Sequence, residues 1–275
     1  AKRAGAQLKF VECSKDGKIT LEDVAAVLTE KTRIMAITQM SNVLGCVNDI
    51  KDIASLCHEK GIVLVADGAQ SVPHMPVNVS ELDVDFLSFS GHKMLAPMGI
   101  GALYGKMEWL EKMPPFLTGG EMIEYVTRTG ATYAEVPHKF EAGTVNAAGA
   151  YALGEAIRYI EGIGFEEITK REDELTALAM EEMKKNPYVH IIGSDRPEDH
   201  HGILAFTVQD VHPHDVAAIL DSDKIAVRAG HHCAQPLLAY LKTPSTTRAS
   251  LAFYNTDIYE SMAGRSWSCK SSGYG

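Results

Sequence analysis

Ile62-Val63-Leu64-Val65-Ala66-Asp67-Gly68-Ala69-Gln70 is the stretch that decides the fold. Five apolar residues, three of them β-branched, run without a break and end on an acid followed by glycine. Such a run suits a strand covered on both faces of a parallel sheet. Upstream, Asp49 to Lys60 has helical periodicity, and Gly61 fits its C-cap. Before that, Arg33 to Thr38 reads as a short apolar strand, and Thr20-Leu21-Glu22-Asp23 as a capping box that opens a helix running through Leu28. Downstream, Val84 to Phe89 and Ile100 to Tyr104 are two more strand candidates. The order β-α-β-loop-β-β predicts an α/β sheet with its functional groups at the strand ends.

Residues 113–146 hold Pro114, Pro115, Gly119, Gly120, Gly130, Pro137 and Gly143 with little periodicity. A loop of that length in a compact domain is usually functional, mobile or at an interface. Two helices follow, Ala147 to Glu161 and Phe165 to Lys185. Strands are expected at Val189–Ile192, Ile203–Val208, Ile225–Arg228 and Leu251–Tyr254, with a helix from Pro213 to Leu220. The expected division is residues 1–146 as part of a large domain, 147–263 as a small C-terminal α+β domain, and 264–275 as an atypical polar tail.

Hydrophobic residues make up 45% and charged residues 23% of the 275-residue chain, an ordinary globular composition. The formal net charge of −10, with no basic block, argues against nucleic acid and anionic membrane as partners. No apolar run approaches the roughly 20 residues of a bilayer span. Five widely spaced cysteines without a Cys-x-x-Cys pair make a disulfide scaffold or a four-cysteine zinc site a poor fit, so a reducing cytoplasm is expected. The opening Ala1-Lys2-Arg3 precedes no signal-like apolar region and includes no initiator Met, so the chain is expected to be incomplete at its N-terminus.

Three groups of residues could carry chemistry. Asp67 ends the first strand quoted, and Ser90-Gly91-His92-Lys93 follows the next. Neighbouring parallel strands end on the same side, so Asp67 and Lys93 face one crevice. Pyridoxal phosphate needs this pair: an amine to bond its aldehyde and a carboxylate to keep its pyridine nitrogen protonated. Ser90 and His92 could reach the phosphate. The plain alternative is a turn aspartate and a solvated surface lysine. The second group is Arg228-Ala229-Gly230-His231-His232-Cys233, in which a cysteine beside histidines and an arginine could act as nucleophile. A zinc site and a structural loop with an inert thiol remain open there. The third is Arg248, placed to clamp a substrate carboxylate or simply to form a surface ion pair. His200-His201 and His212-Pro213-His214 read as polar loop residues.

Taken in order, Ser41-Asn42-Val43-Leu44-Gly45, Asp67-Gly68-Ala69-Gln70, Ser90-Gly91-His92-Lys93, Phe140-Glu141-Ala142-Gly143-Thr144 and Arg228 to Cys233 resemble the class V aminotransferase-fold enzymes. Within these the set is similar to the Suf-type cysteine desulfurases that supply sulfur for iron–sulfur cluster assembly. The resemblance runs from about residue 1 to Thr256. It implies the type I fold of pyridoxal-phosphate-dependent transferases, conversion of L-cysteine to L-alanine, a homodimer, and a sulfur-acceptor protein of the Suf system as partner. It also implies that Lys93 holds the cofactor and shuttles a proton, that Asp67 pairs with the pyridine nitrogen, and that Gln70 bonds the phenolic oxygen. Ser90 and His92 bind the phosphate, and Thr144 reaches the phosphate of the partner subunit's cofactor. Asn42 contacts substrate or cofactor near the ring, Arg248 holds the substrate carboxylate with Arg228 at the mouth, and Cys233 takes the sulfur as a persulfide. No metal is implied. A selenocysteine lyase, another enzyme of the same fold, and an inactive relative are the other expectations. Two departures from the pattern are an upstream part, which would bring a phosphate-binding helix start and a ring-stacking histidine, and the sequence after Tyr259.

Overall fold

The computed structural model describes residues 1–256, so Cys269, the departure after Tyr259 and the tail from 264 onward lie outside the described residues. The chain begins with α1 (Leu21–Val27), β1 (Ile34–Thr38), α2 (Ile50–Glu59) and β2 (Val63–Asp67). Short helices α3 (Ser71–His74) and α4 (Val79–Leu82) lead to β3 (Phe86–Ser90), β4 (Gly101–Gly105) and α5 (Met107–Lys112). Next come β5 (Ile123–Val126), β6 (Ala131–Tyr133), α6 (Ala147–Ile163) and α7 (Phe165–Lys184). The remainder is β7 (Val189–Ile191), β8 (Ile203–Val208), α8 (Pro213–Ser222), β9 (Arg228–Gly230), α9 (Gln235–Tyr240) and β10 (Thr246–Ser250).

These elements form two compact units that interleave along the chain. One comprises Leu28–Gln39 and Asp49–Gly162; the other comprises Ala1–Val27, Met40–Asn48 and the described residues from Ile163 onward. No single cut in the sequence separates them.

The first unit is built on a sheet in the order β1-β2-β3-β4, with β1, β2 and β3 parallel and β4 antiparallel to β3. The apolar run 62–66 forms β2 as expected. Leu64 and Ala66 are buried, whereas Val63 and Val65 are half-buried. α2 follows from Ile50, Ile53, Ala54 and Cys57, whose i, i+3, i+4, i+7 spacing makes one buried face. The Asp49 side chain accepts the Asp52 N–H at 3.2 Å to start it. Gly61, at φ 65, ends it in the left-handed region. Residues 113–146, expected to be a loop, include the hairpin β5–β6, whose strand residues are all exposed.

At the N-terminal ends of β2 and β3, buried Asp85 gathers four donors, from β2, α2 and the start of α5. It accepts from Leu64 N–H at 2.7 Å and Trp109 Nε1–H at 3.0 Å. It also faces His58 Nε2 at 3.0 Å and Lys106 Nζ at 3.6 Å. Burial pulls its carboxyl upward, but the Leu64 N–H, His58 and Trp109 outweigh that and hold it below its ordinary value. Asp85→Asn keeps the shape but turns an amide N–H toward donors. It is expected to lower unfolding stability by about 2–4 kcal/mol in urea denaturation.

The second unit carries an antiparallel sheet in the order β7-β8-β10-β9. α1 starts with the expected reciprocal cap, in which Asp23 N–H reaches Thr20 Oγ1 at 3.2 Å and Thr20 N–H reaches Asp23 Oδ2 at 2.9 Å. Two strand expectations are corrected here. The strand placed at Ile225–Arg228 lies instead at Arg228–Gly230, because Ile225 and Val227 pack against the cluster of Val189, Phe206, Val216 and Leu220. The last strand is Thr246–Ser250 and not Leu251–Tyr254. Leu251 follows the strand and packs with Leu175, Met180 and Leu204. His200, expected as a polar loop residue, is fully buried, with its ring nitrogens 3.2 Å from Ile203 O and 2.7 Å from Ser194 O.

Candidate active site

In the first unit, register carries the acid and the amine to the same end of the sheet. Thr38 pairs with Asp67, and Asp67 with Ser88, so β1, β2 and β3 finish together. The exposed Asp67 carboxylate accepts Ala69 N–H at 2.9 Å, and Gly68 N–H donates to Ser88 O at 2.8 Å. This tight turn leads through half-buried Gln70 into α3. After β3 the chain folds into a one-turn helix over Gly91–Lys93. Gly91 N–H donates to Ile100 O at 2.9 Å, and Gly91 O accepts from Met94 and Ala96. A Cβ at Gly91 would come within 2.8 Å of the Ile100 side chain, which explains why glycine stands there. This anchored turn presents exposed Lys93 and His92, with Ser90 Oγ 2.8 Å from His92 Nδ1. Leu95 sits at φ 68, a region that costs a non-glycine residue about 1–2 kcal/mol. Thr144 is exposed on the segment before α6, next to Gly143, whose N–H donates to Gly120 O at 2.9 Å.

The second unit assembles Asn42, Arg228, His232, Cys233 and Arg248. β9 and β10 pair with Arg228 opposite Arg248. Two cations facing each other across a ladder repel, and an anion between them would relieve this. Arg248 is half-buried; its Nη1 donates to Asn42 O at 2.8 Å, while its Nε is buried without a partner. Burial, then the charge of Arg228, pushes its pKa down, and Cys233 pulls it the other way. The orphaned N–H and the paired arginines together make a carboxylate-sized demand for negative charge.

β9 runs into the cysteine loop. Gly230 has φ 128, and His232 and Cys233 follow at φ 52 and 60. Two successive non-glycine residues in the left-handed region are strained, and that conformation must be held by its surroundings. Ala234 N–H donates to His231 O at 2.9 Å, and the His232 ring lies 2.9 Å from Thr246 Oγ1. Asn42 Nδ2 donates to His232 O at 2.5 Å. Burial first, then Arg248, lowers the His232 pKa, which favours the uncharged ring.

Of the cysteines among the described residues, only Cys233 is exposed. Burial pushes the thiols of Cys46 and Cys57 up to about 11, which makes them poor nucleophiles. Among the described residues, no three His, Cys, Asp or Glu side chains are grouped to hold a metal, and no helix is long and apolar enough to cross a membrane.

Asn42 itself stands on a loop built by Ser41 and Gly45. Ser41 Oγ accepts the N–H groups of Val43 and Leu44, and Gly45 N–H donates to Ser41 O at 3.0 Å. Val43, Leu44 and Cys46 are buried with Ala205 and Leu238, which fixes the loop in this unit. Sequence reasoning found every residue of the cysteine cluster except Thr246. It missed the bond from Asn42 to the cysteine loop, for which the sequence carries no signal.

Residues 1–258 match the family model described as aminotransferase class-V. The chain belongs to the class-V aminotransferase family. Its α/β fold is the type I fold of that family, as expected. This class-V chain is 50% identical over 256 residues to a probable cysteine desulfurase of Halalkalibacterium halodurans, covering 93% of this chain and 62% of that protein. It is 51% identical over 257 residues to one from Staphylococcus aureus, again covering 93% and 62%. Among solved structures, the apo cysteine desulfurase of Thermococcus onnurineus superposes with a TM-score of 0.91 at 38% identity, over 96% of this chain and 66% of that one. The chain thus spans 62% of the length of these curated relatives.

Proposed function

We propose that this class-V chain is part of a pyridoxal-phosphate-dependent cysteine desulfurase in which Cys233 accepts the sulfur. The observation that carries the reading is the exposed Cys233 thiol, the one exposed cysteine among the described residues, on a strained loop in the same unit as a half-buried arginine with an orphaned N–H. The names of the close relatives support it.

The donor set in the first unit fits the cofactor. An amine, a carboxylate, a hydroxyl and an imidazole stand at the C-terminal ends of adjacent parallel strands, where open α/β sheets bind ligands. Lys93 would hold the aldehyde carbon, Asp67 the ring nitrogen, Gln70 the phenolic oxygen, and Ser90 and His92 the phosphate. Thr144 would serve the cofactor of the partner subunit in a homodimer. Bound pyridoxal phosphate supplies an electron sink for the substrate's α-carbon.

The chain's own groups do the rest. Arg248, with Arg228 beside it, binds the L-cysteine carboxylate. Lys93 Nζ takes and returns a proton at the α-carbon. A neighbouring histidine, His231 or His232, would take the Cys233 proton. The Cys233 thiolate attacks the substrate sulfur. An S–S bond forms as the substrate C–S bond breaks, the electron pair stays with carbon, and a proton replaces sulfur to give L-alanine and a persulfide on Cys233. A thiol-bearing acceptor protein of the Suf system then receives the sulfur for iron–sulfur cluster assembly. Free thiols among the described cysteines support a cytoplasmic location.

The test is the visible spectrum of the chain with added pyridoxal phosphate, against Lys93→Ala. The expected result is a band that requires Lys93 and shifts when L-cysteine is added. A spectrum identical in both proteins would overturn the reading for this chain.

A further inference from the structure

We propose that Gln39 and Ser71, a buried pair, are positioning residues that clamp the turn carrying Asp67 and Gln70. The proposal rests on the pyridoxal-phosphate reading for what those two groups face, but the clamp itself stands without it.

Gln39 follows the last residue of β1 and grips both ends of that turn with different atoms. Its backbone N–H donates to Asp67 O at 2.9 Å, where β2 ends. Its side-chain Oε1 accepts the Ser71 hydroxyl at 2.6 Å, where α3 begins. One neighbour therefore holds the turn at its first and its last residue. From the β3 side, Gly68 N–H donates to Ser88 O at 2.8 Å. The two grips of Gln39 separate chemically, because substitution of the side chain removes the second and leaves the first.

The turn needs the second grip. α3 has four residues, too few for a helix to hold itself by its own hydrogen bonds. The Gln70 side chain makes no capping bond to it, so the direction of Gln70 depends on where the helix start is pinned. The pin lies in the core of the unit: Ser71 is 0% and Gln39 3% exposed. Two polar side chains shut away from water must pair, and their bond fixes the rotamer of each. The side chains of Leu64, Ala66 and Leu87 nearby in the sheet are buried and apolar, so an apolar pair would also suit the setting. A hydroxyl bonded to an amide specifies one arrangement where apolar contacts allow several. A support locked in this way is what a cofactor-facing turn requires.

Positioning and stability come apart in a double-variant cycle. Gln39→Met and Ser71→Ala each leave a buried polar group of the other residue unpaired. Each should lower the folding equilibrium constant, read by urea denaturation, about ten- to a hundredfold. Combining the two removes both polar groups, and the double variant should return to within about threefold of the parent. The grip on Ser71 stays lost. Pyridoxal phosphate should therefore bind about tenfold more weakly to the double variant than to the parent, read by titrating the Lys93-dependent absorption band. A pair that served stability alone would give a double variant with the parent's affinity, and that result overturns the proposal.

The deciding experiment also has an arm without cofactor. Amide hydrogen exchange is measured for peptides covering residues 67–75 and 50–59 in the parent chain and the double variant. The expected result is exchange about three- to tenfold faster over 67–75 in the double variant, with 50–59, which forms α2, unchanged. Equal exchange over 67–75 in the two proteins overturns the proposal. Faster exchange in both segments also overturns it, since that marks loosening of the whole unit. If the parent chain shows no Lys93-dependent band but the exchange result holds, the clamp stands and the cofactor reading falls.

Discussion

Replacing Cys233 with alanine is expected to reduce alanine formation from L-cysteine by at least about a thousandfold, while the Lys93-dependent absorption band stays in place. The size of the effect follows from the absence of a substitute among the described cysteines. Cys46 and Cys57 are buried, with their thiols pushed up to about 11 by desolvation, and Cys13 is half-buried and also raised, first by burial. None is presented on a strained turn beside Arg228 and Arg248, as Cys233 is. Cofactor binding should survive because the donor set proposed for the cofactor belongs to the other unit. The measurements are alanine by chromatography and persulfide by mass spectrometry of the 229–235 peptide. Alanine production at the parent rate in Cys233→Ala would remove Cys233 from the chemistry.

Gly45→Ala should cost at least about 4 kcal/mol, enough to leave much of that unit unfolded. Two causes add here. Gly45 has φ 74, where alanine costs about 1–2 kcal/mol. More severely, a Cβ at this position would lie 1.7 Å from the carbonyl oxygen of His200, and a backbone atom cannot step aside as a side chain can. Gly61→Ala separates the causes. Gly61 has nearly the same φ, 65, but nothing lies within 4 Å of its added Cβ. It should lose only the conformational part, about 1 kcal/mol. Both variants are compared by urea denaturation followed by circular dichroism. Equal losses in the two would mean that the loop carrying Asn42 does not press on His200 as described.

What the sequence disclosed and what it withheld divide along physical lines. β2 was legible because an unbroken apolar run has few other fates. α2 and α1 were legible because their caps and buried stripes are local. The ends of β2 and β3, with Asp67 and Lys93, followed from parallel pairing alone. β9 and β10 were misplaced because Ile225, Val227 and Leu251 look like strand residues but serve as core plugs, while the true ladder runs through Thr246, Thr247 and Arg248, whose partners are distant in sequence. The hairpin β5–β6 gave no alternating pattern, since none of its strand residues is buried. α9 was missed because six residues after a strained loop are too few for periodicity to register. The tie from Asn42 to His232 joins residues 190 positions apart, and no local pattern encodes it.

The interleaving of the two units has a consequence for how the chain is made. Residues 40–48 leave the ribosome long before Ala205 and Leu238, the partners that bury Val43, Leu44 and Cys46. Until those partners are synthesised, this apolar loop has no home, while the flanking β1 and α2 can already pair with β2. The nascent protein must therefore carry an exposed, sticky segment out of a half-built sheet until those later residues are made. That segment is where a chaperone would be expected to bind, and where slowed translation would raise the risk of aggregation.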